Sequence, residues 1–262
     1  MNAVKGILCI TMLLIAVLEM PSFAEETGNN EWEWTIVPYV WIPSMKGHLI
    51  IGHEVPSRDV GVDEIIDTPA LDGMLHLEAR KGAFGLFLQS NYFKFDNDQG
   101  IRGVNVDINV MGWMFEFGGF YRLGEWGNKR PGVLDLIIGG RHWSATTEVT
   151  ANSPVPGVRL ESTQGNHVLD PLVGLRFGAY VTDRLAFTIW GDIGGFGVNN
   201  TNFEAIRSWQ TLGFLEYDFN DMISLQVGYR ALALNVRDKN LSSNNEMKIT
   251  AQGPVVGLSF RF

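Results

Sequence analysis

GPVVGLSFRF, residues 253–262, alternates apolar residues with small or polar ones up to a final phenylalanine. Leu258, Phe260 and Phe262 fall on one side of an extended chain, and Arg261 falls on the other. This period of two predicts a β-strand with one apolar face that continues to the last residue. Because the terminal residues of a soluble domain are usually frayed and polar, the pattern indicates surroundings that accept the apolar face.

The same alternation recurs along the chain, and no window outside the N-terminal region has the periodicity of an amphipathic helix. The predicted strands cover residues 32–41, 71–81, 84–95, 104–122, 132–150, 168–181, 185–198, 205–219, 222–236 and 247–262. The 30 glycines and the 11% aromatic content suit many strands joined by turns. Beyond the N-terminal region, no run of about 18 apolar residues predicts a transmembrane helix.

The predicted connections alternate between short and long. Turns lie at 82–83, 182–184 and 220–221, with a longer one at 123–131, and the long polar connections lie at 42–70, 96–103, 151–167, 199–204 and 237–246. This asymmetry is typical of outer-membrane barrels, which have tight periplasmic turns and longer extracellular loops. We therefore predict an all-β fold, a single closed antiparallel transmembrane β-barrel of about ten strands. Twelve strands are the alternative, if a hairpin at 46–60 joins the wall.

Each predicted strand has one apolar face and one polar face. In the strand at 185–198, for example, Phe187 and Ile189 oppose Trp190 and Asp192. A soluble sandwich would show the same alternation, with its apolar face in a core. Aromatic residues near strand ends favour the membrane, since aromatic rings prefer the interfacial girdle of a bilayer. We expect this girdle at the periplasmic rim, formed by Trp32, Trp34, Trp113, Phe115, Phe117, Tyr121, Tyr217 and Phe219.

The N-terminal region has the pattern of a secretory signal peptide. Lys5 precedes an apolar stretch at 6–18, and Ala24 ends a small-x-small cleavage site. We predict a signal peptide at 1–24 and an outer-membrane β-barrel at 25–262. The single cysteine, Cys9, belongs to the signal, so the mature chain has no thiol for a disulfide or a metal site.

The net charge of −9 argues against a nucleic-acid partner. The expected partners are outer-membrane lipid, lipopolysaccharide and the barrel assembly machinery, which would read a C-terminal signal formed by Leu258, Phe260 and Phe262. No cofactor is expected, and the sequence leaves the oligomeric state open.

The polar faces predict a charged network in the lumen. Its expected members are Glu33, Glu78, Arg80, Glu116, Asp135, Arg141, Arg176, Asp192, Glu216, Arg230 and Arg261. A ten-stranded barrel is narrow, and unpaired buried charges are costly. We therefore expect these acids and bases to pair and close the lumen, with Glu78 or Glu116 facing an arginine of another strand. We expect alanine at Arg80 and Arg176 to change the conductance of this plug.

The first long connection, 42–70, is acidic and contains His48 and His53. Its carboxylates could bind a divalent cation or bridge lipid headgroups, but their spacing is scattered. A hairpin that folds over the mouth of the barrel is the favoured interpretation, and no metal site is assigned.

Histidines near the outer rim raise the alternative of an enzyme. Omptin-like proteases use acidic and histidine residues above the membrane, and lipid A-modifying barrels use serine or histidine near the rim. The candidates here are His142 with Ser144, and His167 near Asp170. Neither a Ser-His-Asp order nor zinc-ligand spacing is present. We expect no catalytic residues and no enzymatic activity, with a rim-located membrane hydrolase as an alternative.

Several stretches resemble a family of uncharacterised, porin-like bacterial outer-membrane β-barrel proteins. They are LHLEARKGAFGLF (75–87), GDIGGFGV (191–198), WQTLGFLEYDFND (209–221), VGYRALALN (227–235), GPVVGLSFRF (253–262) and the acidic turn VDEIID (62–67). The resemblance rests on strand and turn signatures. It implies a barrel in the outer membrane of a Gram-negative bacterium. We predict a structural barrel or a narrow channel that can be gated, with a loop-mediated surface adhesin or receptor as an alternative.

Overall fold

The computed structural model describes residues 31–50, 64–65, 74–101, 104–127, 131–152, 159–200, 203–238 and 245–262. The predicted signal peptide at 1–24 and much of the first long connection, with His53, lie outside the described residues. Within the described part of the chain, no helix is long and apolar enough to cross a membrane.

The described residues form twelve β-strands joined by antiparallel ladders. They are β1 (Glu33–Trp41), β2 (Ser44–Ile50), β3 (Glu64–Ile65), β4 (Leu75–Lys81), β5 (Phe84–Ile101), β6 (Val104–Trp126), β7 (Gly132–Asn152), β8 (Arg159–Tyr180), β9 (Leu185–Asn200), β10 (Phe203–Asp218), β11 (Ile223–Asp238) and β12 (Asn245–Arg261).

Ten of these strands, β1 and β4 to β12, close a barrel. β1 pairs with β4, each strand from β4 to β12 pairs with the next, and β12 pairs with β1. Beside this seam, Trp34 and Phe262 exchange backbone hydrogen bonds of 3.1 and 3.0 Å. The apolar C-terminal stretch is therefore part of the wall, and its pairing removes an exposed sheet edge. The predicted closed antiparallel barrel of ten strands is confirmed.

The strand β2 extends β1 instead of widening the barrel. β12 pairs with β1 over Val255–Arg261 and with β2 over Glu246–Gln252, and residues 42–43 separate the two partners. Within the described part of the chain, the strand β3 pairs with Ser44 and Met45 of β2. The wall therefore has ten strands and not twelve, because the segment after residue 43 lengthens an existing strand position.

Gly253 is buried where β12 passes the interruption between β1 and β2. A Cβ at this position would lie 1.9 Å from the backbone oxygen of Ile42. We expect Gly253→Ala to lower the free energy of unfolding by about 1–3 kcal/mol, the usual cost of overpacking. Urea unfolding of the refolded protein in lipid vesicles would measure the loss. Gly213→Ala is the control, since its added Cβ would meet its nearest atom at 4.0 Å, and equal losses for both variants would contradict the explanation.

The two ends of the barrel differ. The end with the turns at 82–83, 181–184 and 219–222, which also carries Trp34 and Phe262, is called the short-turn end, and the opposite end the long-loop end.

Strands extend further toward the long-loop end than expected. The β5–β6 ladder is continuous to Ile101–Val104, and the β7–β8 ladder begins at Asn152–Arg159. Much of the predicted connections at 96–103 and 151–167 is therefore strand. The prediction missed these parts because it followed apolar alternation, whereas a backbone ladder needs no apolar side chains. At the short-turn end, β6 also continues past residue 122 to Trp126, with a register shift between Arg122 and Gly124.

Apolar side chains point outward and charged ones inward. In β9, Ile189 and Ile193 are 53% and 55% exposed, whereas Trp190 and Asp192 between them are buried. The same alternation holds in β12, where Leu258 is exposed and Ser259 is buried. A soluble barrel would instead place its charged side chains on the exterior and large apolar ones inside.

The aromatic residues on the exterior form two belts. All eight residues of the predicted girdle are exposed. However, Trp113 and Tyr121 are eight residues apart on β6, and Trp209 and Tyr217 are eight residues apart on β10. At about 3.3 Å per residue each separation is about 26 Å along the strand. The expectation that all eight residues lie at one rim is therefore wrong for the β6 residues nearest Trp113. Residues that alternate along one face of a strand are spread over its length, so they cannot all lie at the same end.

The lower belt lies at the short-turn end, where Tyr121 pairs with Phe84 beside the turn at 82–83. The upper belt lies toward the long-loop end, where Trp113 pairs with Tyr92 and their ring centroids are 4.9 Å apart. Outer-membrane barrels have an apolar band about 25 Å tall between two aromatic girdles, and the spacing of these belts resembles it.

Candidate functional site

Charged side chains fill the lumen in three groups, which are defined here by their members. The central layer consists of Glu116, Arg141, Asp170, Asp192 and Arg230. The lower cluster, nearer the short-turn end, consists of Glu78, Arg80, Arg122, Asp135 and Arg176. The turn-end cluster consists of Glu216, Asp218 and Arg261.

Arg141 of β7 is fully buried and binds carboxylates from three other strands. Its Nε donates to Glu116 Oε1 at 2.8 Å, its Nη2 to Asp192 Oδ1 at 2.8 Å, and its Nη1 to Asp170 Oδ2 at 3.3 Å. Glu116 and Asp170 are its direct neighbours on β6 and β8, while Asp192 belongs to β9. One guanidinium thus connects four strands.

Arg230 of β11, which is 1% exposed, enters the same layer from another part of the wall. Its Nε donates to Gln210 Oε1 at 2.8 Å, its Nη1 donates to Asn91 Oδ1 at 3.0 Å, and its Nη2 donates to Glu116. The ring of Trp41 lies 4.7 Å from its guanidinium carbon, which adds a cation–π contact. Arg230 therefore reaches across the lumen from β11 to β5 and β6.

Uncharged groups satisfy much of the remaining hydrogen-bonding capacity of the central layer. Gln89 donates to Glu116 Oε2 at 3.0 Å, and Gln210 donates to Asp192 Oδ2 at 3.0 Å. The indole of Trp190 donates to the same Asp192 oxygen at 3.1 Å. Since removing one member of a buried ion network leaves an uncompensated charge, the members of the central layer depend on one another.

The lower cluster is organised around Asp135. This buried carboxylate accepts hydrogen bonds from Arg80 at 3.0 Å, from Arg122 at 3.3 Å and from Arg176 at 2.9 Å. Arg176 also forms a two-point contact with the carboxylate of Glu78, at 2.5 and 3.2 Å. At this level Asp135 therefore connects β7 to three other strands, β4, β6 and β8.

The turn-end cluster connects the last strand to β10. Arg261 binds Glu216 and Asp218, and its side chain is 31% exposed. Ser224 donates to Glu216 at 2.8 Å, and Tyr180 donates to Asp218 at 3.1 Å. This cluster is the part of the network nearest solvent.

A cavity of about 250 Å³ lies on the short-turn side of the central layer. Its walls include charged groups from the lower and turn-end clusters, namely those of Glu78, Arg80, Arg176, Glu216 and Arg261. Arg230 of the central layer also lines it. The rest of the wall includes valine, leucine and phenylalanine side chains. The central layer therefore separates this cavity from the long-loop half of the lumen.

The structure brings ten of the eleven predicted lumen residues into these three groups. It pairs Glu78 with Arg176, and Glu116 with both Arg141 and Arg230. Glu33 is the exception, since it lies exposed at the short-turn end of β1.

Sequence reasoning missed Arg122, Asp170 and Asp218. Arg122 was placed at a strand end, and Asp170 was considered only with His167. The signal for Asp170 was its phase, because it alternates with exposed Leu169 and Val173 and so points inward.

The candidates for a rim hydrolase do not form a catalytic arrangement. His142 follows the inward-pointing Arg141 and so lies on the exterior face, whereas Asp170 points into the lumen and binds Arg141. The rings of His142 and His167 stack with centroids 6.4 Å apart, and Ser144 faces His167 in the ladder. A carboxylate that points into the lumen cannot orient a histidine that lies on the exterior face. In the described part of the chain, no group of three or more metal-binding side chains is positioned to hold an ion.

No protein-family model matches the sequence, and no curated protein is significantly similar to it. Among solved structures, the outer-membrane protease OmpT from Escherichia coli aligns with 92% of this chain and 100% of its own, at 10% identity and a TM-score of 0.54. The translocator domain of the autotransporter NalP from Neisseria meningitidis covers 100% of this chain and 98% of its own, at 10% identity and a TM-score of 0.41. The attachment invasion locus protein Ail of Yersinia pestis covers 88% of this chain and 99% of its own, at 10% identity and a TM-score of 0.33.

At 10% identity the likeness to OmpT concerns the fold and not the activity. The closed wall, the outward apolar face and the inward charges agree with that likeness. The chain therefore has the fold of the bacterial outer-membrane β-barrel proteins.

Proposed function

We propose that this chain is an integral outer-membrane protein, exported through its N-terminal signal peptide, whose narrow lumen is held closed by the central layer. Lipid and lipopolysaccharide would surround the apolar exterior between the two aromatic belts. The barrel assembly machinery would read Leu258 and Phe260 of β12 together with Phe262, the exposed residue that follows the strand. In this view the protein is a structural barrel that becomes a narrow channel only when the central layer rearranges.

The burial of Arg141 and Arg230 carries this proposal. Both guanidinium groups are at most 1% exposed, and together they reach partners on β5, β6, β8, β9 and β10. An ion that crosses this level must displace charged groups that are already held in ion pairs with one another. The cost of separating such buried pairs is several kcal/mol, which supports a closed resting state.

We expect the wild-type protein to show no steady conductance in planar lipid bilayers, and Arg230→Ala to produce an open, cation-preferring pore. The substitution removes the side chain that reaches across the lumen and leaves one arginine with three carboxylates in the central layer. Arg80→Ala and Arg176→Ala should enlarge the cavity below without opening the layer, which revises the sequence-based expectation for these two residues. Arg184→Ala, in an exposed turn, is the control. A wild-type conductance equal to that of Arg230→Ala would refute the proposal.

We also propose that the chain is not an enzyme. The positions of His142 and Asp170 on opposite faces of the wall support this view. Ester or peptide hydrolysis by the refolded protein that is abolished in His142→Ala, but not in His76→Ala, would contradict it.

A further inference from the structure

The lumen on the long-loop side of the central layer is apolar, and this region is called the upper lumen. One cluster of buried residues includes Trp41, Met74, Met114, Leu232 and Ala251. A second cluster consists of Val168, Ala205, Leu234 and Val236. Trp143 packs against both clusters, so the apolar lining is continuous from β1 to β8 and β10.

Three hydrogen-bond donors in this region lack an acceptor among the described residues. They are the indole nitrogens of Trp41 and Trp143 and the side-chain nitrogen of Asn91. The amide of Asn91 is oriented by its oxygen, which accepts from Tyr39 at 2.7 Å and from Arg230 at 3.0 Å. Buried donors without a partner are rare because each one loses its hydrogen bonds to water. Their presence indicates that an acceptor belongs here.

The three residues that carry these donors, Trp41, Asn91 and Trp143, line the same pocket. Its volume is about 40 Å³, and its other walls include Met74 and Met114. Methionine side chains are flexible and adapt to irregular shapes, so this pocket can widen around a larger molecule. A pocket with an oily wall and a few unsatisfied donors suits a ligand that is apolar except for one acceptor.

The charge of the layer below does not favour an anion, and Lys94, which also lines the pocket, is an exposed residue that has an interaction of its own. Two arginines and three carboxylates leave the central layer with one more negative than positive group. We propose that the upper lumen binds a small, neutral, mostly apolar molecule with one oxygen acceptor, such as a ketone or an alcohol, which accepts hydrogen bonds from Trp41, Trp143 and Asn91. The site does not depend on whether the barrel conducts.

The wall beside the upper lumen offers a route from the membrane. The β7–β8 ladder extends to Asn152–Arg159, but among the described residues the β8–β9 ladder ends at Leu172–Gly194. The next residues do not favour its continuation, because Pro171 has no N–H to donate and Gly195 has a φ of 96°. This end of the ladder is the point where an apolar molecule would pass between strands.

Photolabelling with benzophenone, a neutral apolar ketone, tests the site. The full mature protein is refolded into phosphatidylcholine nanodiscs, illuminated with the probe and mapped by mass spectrometry. We expect saturable labelling of Met74 or Met114. Acetophenone should compete about five- to tenfold better than ethylbenzene, which has a similar shape but no oxygen, since one hydrogen bond to a buried donor has about this effect. Labelling confined to exterior residues, equal competition by the two compounds, or a pocket that admits only water would overturn the proposal.

Variants separate the donors from the apolar lining. Trp143→Phe keeps an aromatic ring but removes the N–H, and it should reduce competition by acetophenone about fivefold without affecting ethylbenzene. Trp209→Phe, on the exterior, is the matched control and should not change the competition by either compound. Ala205→Leu should reduce labelling by both compounds because it fills the upper lumen. Folding of each variant is verified by its electrophoretic mobility without heating, and Trp41→Phe replaces Trp143→Phe if the latter does not fold. Unchanged competition in a folded donor variant would overturn the assignment of these N–H groups.

Discussion

Replacing Arg141 with alanine is expected to lower the free energy of unfolding by about 3–5 kcal/mol, the usual cost of breaking a buried ion network. Arg141 is fully buried and forms ion pairs with Glu116, Asp170 and Asp192 at 2.8 to 3.3 Å. Without it, three carboxylates would share only Arg230. Urea unfolding of the refolded protein in lipid vesicles, followed by tryptophan fluorescence, would give the change in midpoint and slope.

Two further variants show whether the charge of Arg141 or the geometry of its guanidinium contributes more to the free energy of unfolding. Arg141→Lys keeps the charge but cannot reproduce the forked geometry of a guanidinium, so we expect a loss intermediate between wild type and Arg141→Ala. Arg184→Ala, in an exposed turn, should change the free energy of unfolding by less than about 0.5 kcal/mol. If Arg141→Ala were as stable as Arg184→Ala, the central layer would not be the unit that holds the strands together.

Replacing Ile189 with arginine is expected to lower the free energy of unfolding by about 2–4 kcal/mol, the cost of a charged residue at the bilayer midplane. Ile189 is 53% exposed and pairs with Gly213, which lies midway between Trp209 and Tyr217 on β10. The two belts therefore place it at the centre of the apolar band.

Val181→Arg is the matched control for this depth dependence. Val181 is 61% exposed but lies in the turn at 181–184, at the short-turn end. A charge near the interface costs only about 0–1 kcal/mol. The difference between the two variants should disappear when the protein is unfolded from a detergent with a small apolar core. Equal losses in lipid vesicles would show that hydrocarbon does not cover the exterior between the belts.

The apolar alternation found most of the wall because a strand places successive side chains on opposite faces. This is why Ile189 was assigned to one face of its strand and Trp190 and Asp192 to the other, as the structure has them. The same rule failed where the alternation stops, so the outer part of β5, up to Ile101, was placed in a loop.

The candidate site was less accessible to sequence reasoning. The phase of Arg80 and Arg176 is the same as that of Arg141 and Arg230, so the pattern could not show which pair closes the lumen. That distinction depends on height along the barrel, which is set by the register of each ladder. The two belts were merged into one rim for the same reason.

The alternation of residues along each strand determined, by itself, that every strand has one apolar and one polar face, because facing is a local property of an extended chain. The alternating lengths of the connections and the aromatic strand ends then indicated a membrane barrel with the apolar face outside. Only the closed tertiary structure decided which charges meet. Arg230 reaches Glu116 from a position 114 residues away, and Arg176 reaches Glu78 from a position 98 residues away. Such contacts depend on the stagger of strands around the circle, a geometric property that no single strand contains.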